Sequence, residues 1–131
     1  MVDFTVIENE ISALIGSTGF TSVETGRIRE DIPITQMPSL DVAVTGHETL
    51  YRANKTYSTA VIAVIRNKGV DRSDNAATFK AFIKSICEAL EEHQSVNIDA
   101  IRDISSDFGE TRSGDGSFVR SAVLTIRILS H

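Results

Sequence analysis

The sequence holds no tryptophan, one cysteine and two prolines, and it has no long apolar run. A single thiol, Cys87, excludes a disulfide within the chain and fits a reducing compartment. No apolar stretch approaches the roughly 18 residues of a membrane-spanning helix. The opening MVDFTVIENEISALIG lacks a basic leader and carries Glu8 and Glu10 inside its apolar pattern, which is not the composition of a secretory signal. Basic excess is absent too: 18 Asp and Glu face 13 Lys and Arg, a net charge of −5. Gripping nucleic acid or an anionic membrane needs clustered cations, so neither is an expected ligand. The cations are scattered (Arg27, Arg29, Arg52, Arg66, Arg72, Arg102, Arg112, Arg120 and Arg127) without interleaved aromatics.

What is present is ordinary globular material. The 131 residues, 41% hydrophobic and 24% charged, suit one domain over the whole of 1–131 with a real core. Phe4, Ile7, Ile11, Leu14 and Ile15 recur at helical spacing and predict a helix over roughly 3–16, stopped by Gly16 and Gly19. Residues 19–38 read as an extended connection with room for a short edge strand in 21–29, since Pro33 and Pro38 argue against a central strand. Leu40, Val42 and Val44 alternate with Asp41, Ala43 and Thr45, the pattern of a half-buried strand. After a polar connection at 46–54, residues 56–66 are apolar on both faces, which marks a central strand. Asn67 to Gly69 read as a turn. Ala76, Phe79, Ile83, Ile86 and Leu90 predict a second helix, capped by Ser73 or Asp74 and running to about His93. The last third reads as a long hairpin, 100–110 and 117–129. The expected fold is α+β: an antiparallel, possibly mixed, sheet of about four strands with two helices on one face, in the order α-β-β-α-β-β.

Nothing in the sequence spells an active site. His47, His93 and His131 stand apart, without metal-ligand spacing. Cys87 sits between Ile86 and Glu88 with no supporting motif and reads as a small core residue. The glycines at 109, 114 and 116 join two strands, where a phosphate loop would open a helix. Asp99, Asp103, Asp107 and Glu110 read as the wet side of an edge strand, with no calcium-loop pattern. No catalytic, cofactor-binding or metal-binding residue is assigned, and the chain is expected to be no enzyme.

Three phrases carry a resemblance. The first is an N-terminal helix, then an extended stretch ending MPSLDVAVTGHE (37–48). The second is TYSTAVIAVIRNKG followed by DNAATFKAFIKSICEAL (74–90). The third is the ending VNIDAIRDISSDFGETRSGDGSFVRSAVLTIRILSH. In this order, over nearly the whole chain, they resemble the tail terminator (minor tail) proteins of long-tailed bacteriophages. Head–tail joining proteins of the phage neck share the look.

The resemblance implies a structural virion protein, assembled in the host cytoplasm. Six copies would form a ring at the head-proximal end of the tail tube. The ring would end tube polymerisation and join tail to head, with double-stranded DNA passing through the lumen. Its partners would be further copies of itself, the tail tube protein and a head-completion or stopper protein, with no membrane and no cofactor. The alternatives are a connector or stopper of the neck, or a cellular oligomeric α+β binding module. Candidate interface residues are Gly109, Glu110, Arg112, Asp115 and Gly116 at the tip of the last hairpin. His47, Glu48, Tyr51 and Arg52 in the 46–54 connection form a second group.

Overall fold

A computed structural model describes residues 3–16, 19–53, 55–69, 74–92, 98–112 and 118–130. The first helix, α1 (Phe4–Ile15), begins where the Asp3 carboxylate accepts the Thr5 and Val6 amides at 3.0 and 3.3 Å. It ends at Gly16, which takes φ +92° and donates its amide to Ser12 and Ala13. Then come β1 (Ser22–Thr25), a 3₁₀ turn at Ile34–Gln36, β2 (Ser39–Tyr51) and β3 (Thr56–Gly69). The chain continues through α2 (Asp74–Glu91), β4 (Ala100–Arg112) and β5 (Phe118–Ser130). The end predicted at His93 lies outside the described residues.

The sheet runs β1-β2-β3-β5-β4. It has five strands, not four, and the order is α-β-β-β-α-β-β. The added strand is β1, which pairs in parallel with Ser39–Val42 and makes an otherwise antiparallel sheet mixed. Four residues with one apolar side chain, Val23, leave little signal. The neighbouring β2 backbone supplies the pairing. Asn67 to Gly69 are strand as well, paired with Arg120 to Phe118. Gly69 is needed there, because a Cβ would enter the space of the Phe118 ring opposite it.

Both helices lie on one face of the sheet. Ile7, Ile11 and Ile15 of α1, with Phe79, Ile83, Ile86 and Leu90 of α2, bury against Leu40, Val42, Val61, Ala63 and Ile65. Ala122, Leu124, Ile126 and Ile128 of β5 complete that core. The strand alternation read from the sequence therefore matches the buried face. Among the described residues, the opposite face carries no α-helix. The connection before β2 is latched across it: Arg29 Nε reaches Asp41 Oδ1 at 2.6 Å, and Arg66 Nη1 reaches Asp41 Oδ2 at 2.9 Å. Arg66 Nη2 also donates to the Arg29 carbonyl at 2.9 Å. The Asp41 side chain is wholly buried, and Ile32 is buried on the same connection.

Candidate docking site

The two groups of candidate interface residues stand at opposite ends of the sheet. β3 runs antiparallel to both β2 and β5, so Tyr51 and Thr56 close one end while Gly69, Phe118 and Arg112 lie at the other. With 14 residues in β3, the ends are about 45 Å apart at roughly 3.3 Å per residue.

At the first end the expected 46–54 connection is mostly strand. His47 pairs with Thr59, Glu48 with Ser58 and Tyr51 with Thr56, leaving Arg52 in the turn. Register shifts at Val44/Gly46 and Thr49/Tyr51 set Thr45 and Leu50 out of the ladder, and the strand continues past both. His47, Glu48 and Arg52 are exposed, and the His47 ring lies 5.0 Å from that of Phe4. Val44, where the ladder first shifts, donates its amide to the buried Glu8 carboxylate at 2.8 Å.

At the second end, Gly109, Glu110 and Arg112 are not in a loop. They pair with Ser121, Arg120 and Phe118. Glu110 stands opposite Arg120, where its carboxylate accepts Nη1 at 2.7 Å, a cross-strand pair that supports the ladder here. Asp115 and Gly116 lie outside the described residues. Arg120 is 4% exposed, and its guanidinium carbon sits 4.9 Å from the Phe118 ring centre. Beside it, α2 brings Phe79 edge-on to Phe108 at 6.3 Å, and the Lys80 ammonium lies 5.8 Å above the Phe108 ring.

Between α2 and the strands lie two recesses of about 350 and 360 Å³ that share Phe79 and Arg120. Lys80, Phe108 and Glu110 line the first; Asn67, Lys68 and Phe82 line the second. The sequence reading named Glu110 but missed this groove. A signal was available, since Arg120 occupies the inward-facing alternation of 120, 122, 124, 126 and 128, where a charge demands a partner.

The other polar groups are dispersed. Cys87 is half-buried, with Sγ 3.8 Å from Ser106 Oγ. Asp103 and Asp107 share one face of β4 while Glu110 stands on the other, so these carboxylates do not converge. His93 and His131 lie outside the described residues. Among the described residues, no helix is long and apolar enough to cross a membrane.

No protein-family model matches this sequence, and no curated protein matches it. Among solved structures, a chain described as "Virion of native gene transfer agent (GTA) particle" is similar at 10% identity and a TM-score of 0.46. That match covers 98% of this chain and 92% of the other.

Proposed function

We propose that this chain is a structural, non-enzymatic protein of a phage-like particle. It forms a ring, most simply of six copies, at the head-proximal end of a tail tube. There it ends tube growth and joins the tail to the head while DNA passes through the lumen. The observation that carries the reading is the placement of two side-chain clusters at opposite ends of one continuous sheet. His47, Glu48 and Arg52 mark one end; Lys80, Phe108 and Glu110 mark the other. A subunit built this way presents different surfaces to two neighbours along its strand axis, as a piece joining tube to head must. The chain-wide resemblance to tail terminators supplies the direction of the reading, and the acidic net charge suits a lumen through which DNA slides without sticking.

Native mass spectrometry and negative-stain microscopy test it, on the protein alone and mixed with tail tube protein. The expected result is a closed ring that seats on tube ends. A symmetric dimer with no ring in any state overturns the proposal.

A further inference from the structure

We infer that the groove between α2 and the β4–β5 end of the sheet binds an acidic peptide segment of a partner protein, anchored by a large apolar side chain. The inference rests on the reading of this end as a docking end only for the partner being another structural protein; the chemistry rests on the groove.

Four of the six phenylalanines gather here: Phe79, Phe82, Phe108 and Phe118. Phe108 is 48% exposed, a large apolar side chain that folding has left facing solvent. Two recesses of about 350 and 360 Å³ flank Phe79, and each is large enough for one big side chain. Among the described residues, their lining holds the cations Lys68, Lys80 and Arg120 against one carboxylate, Glu110, in a chain whose net charge is −5. Arg120 is fixed before any ligand arrives, by Glu110 on one side and the Phe118 ring on the other. Lys80 is exposed at the rim, while Lys68, also exposed, pairs with Val119 and starts from the sheet face opposite Arg120. An aromatic floor with a recessed, pre-oriented guanidinium and the Lys80 ammonium at its rim complements a short segment that places a carboxylate next to Phe, Leu or a similar residue. A polyanion such as DNA fits poorly, because the acidic remainder of the surface repels it.

Selection of a random peptide library against the whole protein tests this, followed by anisotropy with a fluorescein-labelled winner. The enriched peptides should pair Asp or Glu with a large apolar residue. Phe108→Ser and Lys80→Glu, both at exposed positions, should each weaken the selected peptide about tenfold. Val123→Thr, on the opposite face, should leave it unchanged. A second selection against the Lys80→Glu variant should favour basic peptides.

The inference is overturned by no enrichment, by enrichment of basic or uncharged peptides, or by binding that neither groove variant moves. Displacement of the peptide by single-stranded DNA at equal affinity also overturns it. Ring formation, measured separately, tells the two readings apart. Peptide binding without rings sinks only the ring; rings without peptide binding sink only the groove.

Discussion

Replacing Asp41 by Asn should cost about 3 kcal/mol of stability, and the figure follows from the geometry of the latch. Both carboxylate oxygens are engaged, Oδ1 by Arg29 at 2.6 Å and Oδ2 by Arg66 at 2.9 Å. Asparagine keeps one acceptor and turns an amide toward a guanidinium, donor against donor. One charge-assisted hydrogen bond is lost and the other weakened, each worth about 1.5–3 kcal/mol. Breaking a fully buried pair costs about 3–5 kcal/mol, but the Arg29 and Arg66 side chains are 15% and 18% exposed and can rehydrate in part. The expected loss therefore lies near the bottom of that range, roughly a 10 °C fall in Tm for a domain of this size. Urea titration followed by circular dichroism gives the number, with the slope of the transition unchanged. Limited trypsin digestion reports the local event: cleavage after Arg27 or Arg29 should accelerate beyond the rise in global unfolding, because the connection is freed first. The combined change Asp41→Leu, Arg29→Met and Arg66→Met should recover most of the loss, since an apolar replacement leaves no orphaned charge. A loss below about 1 kcal/mol for Asp41→Asn, or unchanged cleavage, would show that the latch does not hold the connection.

Three further changes probe other parts of the fold. Glu8→Ala orphans the Val44 amide, costs about 1–2 kcal/mol by urea titration and is largely repaired by Glu8→Gln, which keeps the acceptor. Gly69→Ala forces the Phe118 ring aside at a cost of about 1–3 kcal/mol. Combining it with Phe118→Ala should cost less than the sum of the two single changes in thermal melts. Cys87→Ala should leave assembly intact and lower stability by about 1 kcal/mol, as removal of a half-buried thiol predicts; loss of rings at unchanged stability would contradict a structural role.

The elements with a strong period were legible. Ile7, Ile11 and Ile15 at helical spacing, and Leu124, Ile126 and Ile128 at strand spacing, point to one core whatever the topology. Strand whose pairing is set by its partner was not legible. Residues 47–50 are exposed on β2, so no hydrophobic alternation separates them from a loop. Only the ladder to Ser58 and Thr59 makes them strand. The same holds for Glu110, which belongs to β4 because its ladder to β5 runs on to Arg112 opposite Phe118. Charge pairs were the least visible. Arg29 and Arg66 looked like scattered surface cations, and Asp41 like the wet side of a strand, because the partners lie 12 and 25 residues apart. A sequence shows that a charge sits at a buried phase of a strand. It does not show which distant side chain neutralises it.

The two ends of the sheet should act independently, although one strand joins them. β3 is paired with β2 from Thr56 to Arg66 and with β5 from Tyr57 to Gly69. A strand held on both sides cannot slide in register without breaking both ladders and moving its whole apolar set to the wrong face. It therefore has no second arrangement for a ligand to select, and a ligand shifts only an equilibrium that exists. Occupying the groove at Phe108 should leave the surface around His47 and Glu48 as it was. Double-mutant cycles give the measure. Phe108→Ser combined with Glu48→Ala should lose stability additively to within about 0.5 kcal/mol, as distant sites do. Glu48→Ala alone should leave peptide affinity at the groove unchanged. A coupling well above that margin, in stability or in binding, would mean that the sheet has two states and transmits between its ends, and the picture of a rigid strut would have to be abandoned.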